Sequence, residues 1–235
     1  MMFSYIYNSP HFRAYRSGFS LKNYSKEILR KLFKLGIPIG LQFSFEVGAF
    51  AFAAIMIGWI GAEQLAAHQI AISLASVTYM LASGISAAAT VRVGNQLGSK
   101  DIVSLRLAGF SAFYIVIVFM IVAALCLILF NEVLPPFFNK TPEVLRITSS
   151  LLIIAALFQL SDGVQVVGLG ALRGISDVRV PTAITLGAYW IIALPSGYVL
   201  GNVFELGARG IWYGLFIGLT VSAVLLFIRF YYKSK

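Results

Sequence analysis

Two acidic residues lie inside long apolar stretches of the sequence, where a carboxylate is costly. Glu46 falls in IPIGLQFSFEVGAFAFAAIMIGWI, and Asp162 falls in ITSSLLIIAALFQLSDGVQVVGLGAL. The other acidic residues lie at or beyond the ends of apolar runs. A charge at membrane depth costs from about 2.5 kcal/mol to over about 10 kcal/mol, so it is retained mostly where it faces a bundle interior or a water-filled path. The two acids therefore indicate a protein that moves ions or charged solutes across a membrane.

The apolar stretches offer no basic residue at membrane depth to neutralise either acid. Burial disfavours the ionised form of a carboxylic acid, which makes proton uptake accessible near physiological pH. Alternatively, a small cation supplies the missing charge. Both possibilities describe a cation-coupling site, and the residues alone do not choose between Na⁺ and H⁺.

Polar residues recur at helical spacing around these acids. Gln42 precedes Glu46 by one turn, and Gln159 and Gln165 flank Asp162 at steps of three. The second apolar stretch carries the longest pattern, with steps of three or four: Gln69, Ser73, Ser76, Tyr79, Ser83, Ser86 and Thr90. We name these seven residues the polar stripe. A fifth stretch adds Thr182, Thr185 and Tyr189.

Two interpretations of these polar residues compete. Ser and Thr can bond to the backbone or join helices, at about 0.6–2 kcal/mol each. A seven-residue stripe beside two carboxylates favours a shared hydrated cavity instead. The candidate cavity residues are Gln42, Ser76, Ser83, Phe158, Gln159, Gln165 and Tyr189.

The composition predicts an all-α integral membrane protein. Hydrophobic residues make up 59% of the 235 residues and charged residues only 11%, whereas a soluble domain has about 25% charged residues. Six apolar segments are long enough to span a bilayer: approximately 37–60, 66–90, 107–130, 147–172, 180–201 and 210–231. We expect a linker over residues 1–36, a six-helix bundle over 37–231 and a tail over 232–235, with the linker and the tail in the cytoplasm.

Basic residues are distributed unequally between the two sides of such a bundle. Fifteen of the 18 Lys and Arg residues fall in the N-terminal segment, two of the loops and the tail, and the other side holds only Lys140, Arg146 and Arg209. The positive-inside rule then predicts that both termini are cytoplasmic. The net charge of +9 is segregated by loop rather than gathered on one face, so we expect no nucleic-acid partner.

Other classes of site have little support in the sequence. Cys126 is the single cysteine, so an internal disulfide is excluded. His11 and His68 belong to no Cys/His cluster, and we find no Ser/His, His/Glu metal or aspartyl-pair motif. We therefore expect neither an enzyme nor a cofactor. Small residues at four-residue spacing predict close helix packing: Gly36 and Gly40, Gly170 and Gly174, and Gly210, Gly214 and Gly218.

Three separated segments, in order, resemble the multidrug and toxic compound extrusion (MATE) transporters. They are GLQFSFEVGAF, AAHQIAISLASVTYMLASGISAAATVRVGNQLG and FQLSDGVQVVGLGALRG. The resemblance covers about residues 30–235, which correspond to the second half of a twelve-helix transporter. The preceding SPHFRAYR resembles the link between the two halves.

The resemblance implies one lobe of a bacterial inner-membrane antiporter that exports organic, mostly cationic compounds, driven by inward Na⁺ or H⁺. Glu46 and Asp162 match the family's acidic residues, and Tyr79 matches a tyrosine that helps to hold a cation in some members. Phe158 falls where some members have a tyrosine. The implied partners are the lipid bilayer, the drug substrate, and a missing N-terminal lobe or a second chain. The coupling ion would be the only cofactor.

Two alternatives remain open. A lipid-linked oligosaccharide flippase of the same superfamily would need a cationic cavity for a pyrophosphate headgroup, and the charges at membrane depth here are acidic. A non-transporting half-length remnant or interaction subunit would suit the length of the chain. The presence of both Glu46 and Asp162 counts against a gene that lost its function long ago.

Overall fold

The computed structural model describes residues 25–235, in which long apolar helices dominate. Six of them are long and apolar enough to cross a membrane: α1 Lys26–Ile60, α2 Ala62–Gly98, α3 Ile102–Leu129, α4 Pro142–Gly174, α5 Arg179–Val203 and α6 Ala208–Lys233. A short 3₁₀ turn, Pro135–Phe137, lies between α3 and α4. The predicted all-α, six-helix membrane bundle is confirmed.

Local signals mark several helix starts. The Asp101 side chain accepts a hydrogen bond from the Ser104 backbone N–H at 2.9 Å, which caps α3. Pro142 is the first residue of α4, where the missing N–H costs little. Gly207, with φ of 62°, precedes α6. A side chain would strain this positive φ, so glycine suits the sharp turn from α5.

The helices are longer than the apolar segments of the sequence. α1 runs through Pro38, which the sequence placed near a helix start, and α2 runs through Gly94. Arg92 and Arg173, which the sequence placed in loops, lie in α2 and α4. Hydropathy measures only the hydrocarbon core of a bilayer, whereas a helix satisfies its own backbone hydrogen bonds and continues into the polar interface.

The chain divides into two compact units, residues 1–36 and 37–235. Most of the predicted linker lies outside the described residues. The boundaries predicted for the linker, the bundle and the tail therefore stay predictions. The packing and the sites below concern residues from Ile37 onward.

Helix α4 is the centre of the second unit and packs against α2, α3 and α6. Leu151, Leu152 and Ala155 of α4 belong to one buried cluster together with Met56 and Ile57 of α1. The other half of α4 packs in a second cluster with α3, through residues such as Val167, Leu172, Phe113, Val116 and Met120. Any polar residue on the buried faces of α4 is therefore held in a rigid position.

Glycines allow α4 to approach α2 closely. A Cβ at Gly170 would collide with Ser86, and one at Gly174 would lie 2.9 Å from the Thr90 carbonyl oxygen. The predicted close packing at this pair is confirmed. At Gly36 and Gly40 a Cβ would meet nothing within 4 Å in the described part of the chain, so close packing there stays a prediction.

Helix α6 approaches α5 through a second glycine face. Cβ atoms on Gly210, Gly214 and Gly218 would collide with the backbone or the Cβ atoms of α5, as the spacing predicts. α5 itself contains two stretches of wider π-helix, Gly187–Ala193 and Val199–Val203. Such insertions are frequent at functional sites, and the first one carries Tyr189.

Candidate ion and substrate site

The two acids border one cavity between α1, α2 and α4, which we name the acidic cavity. Its volume is about 250 Å³ and its lining comprises Phe43, Glu46, Val47, Phe50, Ile72, Ala75, Ser76, Tyr79, Phe158 and Asp162. Glu46 is 6% exposed and Asp162 is 4% exposed. Two largely desolvated carboxylates on different helices therefore face a common space that a cation can occupy.

A second, smaller cavity adjoins the first, and we name it the polar cavity. Its volume is about 170 Å³, and it is lined by Gln42, Phe43, Glu46, Tyr79, Ser83, Ser86, Ala87, Thr90, Val166, Leu169 and Arg173. Phe43, Glu46 and Tyr79 line both cavities. These three side chains therefore form the boundary between the two spaces.

Gln165 links Glu46 to α5. Its Nε2 donates to the Tyr189 hydroxyl at 2.9 Å and to Glu46 Oε1 at 3.3 Å. The π-helical stretch places Tyr189, which is fully buried, at this position. Gln165 therefore holds one oxygen of the Glu46 carboxylate and is itself held by Tyr189.

Several buried amide groups on these helices have no partner among the described residues. Gln159 Nε2, Gln165 Oε1 and Gln42 Nε2 are buried without a hydrogen bond. Buried polar groups are normally satisfied by protein or by ordered water. Gln42 borders the polar cavity, so its free amide group suits water or a ligand there, whereas Gln159 and Gln165 border neither cavity. Gln159 Oε1 does have a partner, since Thr78 Oγ1 donates to it at 2.9 Å.

Arg173 corrects the expectation that no basic residue lies near the acids. It occupies the last turn of α4, and its Nη2 donates to Gln42 Oε1 at 3.1 Å. Its guanidinium carbon lies 4.9 Å from the centre of the Phe43 ring, within cation–π range. Side chains in a helix lean toward its N-terminus, so Arg173 reaches back from the helix end into the polar cavity, which Glu46 also borders.

The polar stripe of α2 includes residues that border the cavities and residues that bond to α4. Ser76 borders the acidic cavity, Ser83 the polar cavity, and Tyr79 both. Farther along, Ser86 Oγ donates to the Val166 carbonyl at 2.7 Å and Thr90 Oγ1 to the Gly170 carbonyl at 2.9 Å. Ser86 and Thr90 therefore join α2 to α4 and also border the polar cavity, whereas Gln69 and Ser73 border neither cavity.

Aromatic rings form the wall of the acidic cavity. Phe50 and Phe158 line the cavity with their ring centres 6.2 Å apart. The fully buried Tyr189 and Trp212 border neither cavity and pack behind these rings, Tyr189 at 5.9 Å from Phe50 and Trp212 at 5.9 Å from Phe158. Aromatic faces attract organic cations, and apolar walls with a few convergent polar groups are typical of small-molecule sites. The cavity is therefore suited to an organic cation.

Sequence reasoning missed Arg173, Phe43, Phe50 and Thr78. Phe43 and Phe50 could have been found, because they stand three before and four after Glu46 and so share its helical face. Thr78 lies off the polar stripe and gave no periodic signal. Thr185 bonds to its own helix, and Thr182 also donates to the Pro38 carbonyl at 3.0 Å, so both serve packing.

Two relatives of this chain are multidrug resistance proteins. The multidrug resistance protein MdtK of Yersinia pseudotuberculosis serotype O:1b (strain IP 31758) is 39% identical over 213 residues, which are 89% of this chain and 47% of that protein. MdtK of Yersinia enterocolitica serotype O:8 / biotype 1B gives the same identity and the same coverage. The chain spans about half the length of the curated relatives it matches.

Solved structures share the fold. A eukaryotic MATE transporter, AtDTX14, superposes with a TM-score of 0.88 at 25% identity, covering 97% of this chain and 51% of that one. A MATE protein in the bent conformation gives a TM-score of 0.85 at 20% identity, covering 95% of this chain and 50% of that one. The MatE family model matches residues 38–199. The chain therefore belongs to the MatE family.

Proposed function

We propose that this chain forms the C-terminal lobe of an antiporter that exports organic, mostly cationic compounds in exchange for inward Na⁺ or H⁺. The observation that carries the proposal is the acidic cavity, where Glu46 and Asp162 share one aromatic-walled space. The similarity to the multidrug resistance protein MdtK supports multidrug efflux. The proposal assigns Glu46, Asp162 and Tyr79 to the coupling ion or proton. It assigns the aromatic wall and the polar side chains around it to the substrate.

Competition for the two carboxylates would produce the exchange. A cationic substrate and the coupling ion each gain most from the same desolvated acids, so occupation by one lowers the affinity for the other. This coupling is reciprocal by thermodynamic necessity. No chemical conversion of the substrate and no cofactor beyond the coupling ion are needed.

The charges at the cavities favour a cationic over an anionic substrate. Two carboxylates face the acidic cavity, and the guanidinium of Arg173 lies in the adjoining polar cavity on the other side of Phe43. A flippase that binds an anionic pyrophosphate headgroup would need positive charges, rather than the two carboxylates, around the larger acidic cavity. Among residues 25–235, the basic side chain that borders either cavity is Arg173, in the polar cavity, which Glu46 also borders.

The proposal also includes a location and a partner. The excess of Lys and Arg at one end of the bundle supports a bacterial inner-membrane protein with cytoplasmic termini. Phe43 and Val47, which border the acidic cavity, are 41% and 65% exposed. Alternating access generally needs one repeat to move against another. A second lobe, from a longer chain or a second chain, would then cover this side of the cavity.

Reconstitution in liposomes tests the proposal. We expect that the chain alone does not drive uptake or release of a cationic dye under an imposed Na⁺ or H⁺ gradient. We expect transport when the chain is joined to the N-terminal half of an MdtK relative. The same fusion with Glu46→Gln and Asp162→Asn is the matched control. Gradient-driven dye movement by the verified monomeric chain would overturn the lobe assignment, and equal transport by the doubly substituted fusion would overturn the coupling role.

A further inference from the structure

A groove between α5 and α6 lies apart from the two cavities of the candidate site. It encloses about 500 Å³ and is lined by Val180, Ile184, Leu225, Ile228, Arg229, Tyr232 and Lys233. None of these residues lines the acidic or the polar cavity. The groove therefore belongs to a different surface of the bundle.

One end of the groove is basic. Arg229 Nε donates to Asp177 Oδ2 at 2.7 Å, and this ion pair fixes the guanidinium at the end of α6. Asp177 itself lines a neighbouring pocket rather than the groove, whereas Lys233 borders both. The groove therefore presents two basic side chains, Arg229 and Lys233. Asp177 holds the Arg229 guanidinium in place and offsets part of its charge.

The remainder of the groove is aliphatic and open to the surroundings. Leu225 and Ile228 are each 43% exposed and Val180 is 41% exposed. On α6, Leu225, Ile228 and Tyr232 recur at steps of three and four, so they follow one face toward Lys233. An apolar channel that leads to basic side chains in the last turns of a membrane-spanning helix matches an acyl chain joined to an anionic headgroup.

We propose that this groove binds an anionic phospholipid, with the phosphate at Arg229 and Lys233 and an acyl chain along Val180, Ile184, Leu225 and Ile228. Basic pockets between transmembrane helices are a recognised mode of binding for anionic lipid headgroups. The tyrosine ring at the groove end suits the membrane interface, where amphipathic rings accumulate. The bound lipid contacts both α5 and α6 and so stabilises their pairing. This proposal depends on membrane insertion and not on the proposed transport function.

Lipid binding to the purified chain tests the proposal. We would measure the binding of phosphatidylglycerol by native mass spectrometry in detergent, and the thermal unfolding midpoint in the presence of phosphatidylglycerol, phosphatidylcholine or inorganic phosphate. We expect phosphatidylglycerol to bind and to raise the midpoint, and the other two to have little effect. Equal effects of phosphatidylcholine or of free phosphate would overturn the proposal.

Matched variants locate the site. Lys233→Gln should weaken phosphatidylglycerol binding about fivefold, as expected for one basic residue near an anionic headgroup. Lys100→Gln, which removes a charge from the exposed loop after α2, should not weaken it. Likewise Leu225→Asn should weaken binding more than Val224→Asn, since Val224 is 50% exposed but lies outside the groove. Equal effects within either pair would overturn the assignment to this groove.

Discussion

Arg173 Nη2 donates a hydrogen bond to Gln42 Oε1 at 3.1 Å, which joins the end of α4 to α1 one turn before Glu46. The guanidinium and Glu46 border the same polar cavity. A fixed positive charge beside one of the two acids lowers the affinity of that acid for any mobile cation. Under the proposed function, Arg173 would limit how tightly the site holds a coupling ion or a cationic substrate.

Removing the Arg173 charge should strengthen cation binding. At an effective dielectric constant of about 20, a unit charge several ångströms away contributes on the order of 1–2 kcal/mol, or about tenfold in affinity. We expect Arg173→Gln to bind tetraphenylphosphonium about tenfold more tightly than the unmodified chain, and Arg173→Lys to bind it nearly as the unmodified chain does. Equilibrium binding to the purified protein at fixed pH measures this.

Arg92→Gln is the control for Arg173, because Arg92 is an exposed basic residue of α2 that borders neither cavity. It should leave the affinity unchanged. A loss of affinity in Arg173→Gln alone would show that Arg173 serves to position Gln42 rather than to compete with the cation.

The two acids should act through their charge rather than their shape. Glu46→Gln and Asp162→Asn preserve side-chain volume, so we expect both proteins to insert and fold. Each variant should bind tetraphenylphosphonium about tenfold more weakly than the unmodified chain. Either substitution should abolish cation-driven efflux in a complete transporter. Glu63→Gln, at an exposed position in the first turn of α2, is the matched control. Full drug resistance in both variants would contradict the coupling role.

Water access should distinguish the faces of α2. Single cysteines at Ser76, Tyr79 and Ser83 should react with a small membrane-impermeant thiol reagent, because a hydrated cavity permits thiolate formation. Cysteines at Leu74 and Val77 should not react, since Leu74 packs against the core and the exposed Val77 borders neither cavity. The measurement is the labelled fraction in a Cys126→Ala background. Equal labelling on both faces would instead indicate a loosely packed helix.

The sequence predicted the parts of the site that depend on helical periodicity. The positions of Glu46, Asp162 and the polar stripe follow from a period of about 3.6 residues and from the cost of burying charge. The glycine faces of α4 and α6 follow from the need of membrane helices to approach closely. These are local rules, so a single sequence is sufficient to apply them.

Other features depend on tertiary contacts that hydropathy does not encode. Arg173 was placed in a loop because the apolar run ends before it, although the helix and its long side chain continue into the bundle. The π-helical stretch that positions Tyr189 has no marker in residue type or spacing. The hydrogen bonds of Ser86 and Thr90 to the α4 backbone depend on how closely α4 approaches α2.

The orientation of the bundle remains a prediction that labelling can test. From the distribution of Lys and Arg, a cysteine at the exposed Lys140 should react from outside intact cells, and one at the exposed Lys100 only after the membrane is opened. The Cys126→Ala protein without an added cysteine gives the background. Labelling of Lys100→Cys in intact cells together with protection of Lys140→Cys would reverse the orientation.

The glycine face between α5 and α6 should be sensitive to any added side chain. A Cβ at Gly214 would collide with the Gly197 backbone and would lie 2.7 Å from the Ala193 carbonyl oxygen. Backbone atoms cannot move aside as a flexible side chain can, so the helices must separate. Overpacking of this kind costs about 1–3 kcal/mol. We therefore expect Gly214→Ala to lower the thermal unfolding midpoint by about 5 °C.

Gly84→Ala is the matched control for Gly214→Ala, because a Cβ at Gly84 would meet nothing within 4 Å among the described residues. Both changes replace a helical glycine by alanine, which by itself favours the helix by about 1 kcal/mol. The unfolding midpoint should therefore fall for Gly214→Ala and stay level or rise slightly for Gly84→Ala. The separated helices should also displace the π-helical stretch, since Gly218 packs on Ala193 and on the Ala188 carbonyl beside Tyr189. A midpoint for Gly214→Ala equal to that of Gly84→Ala would show that α5 and α6 do not pack backbone against backbone.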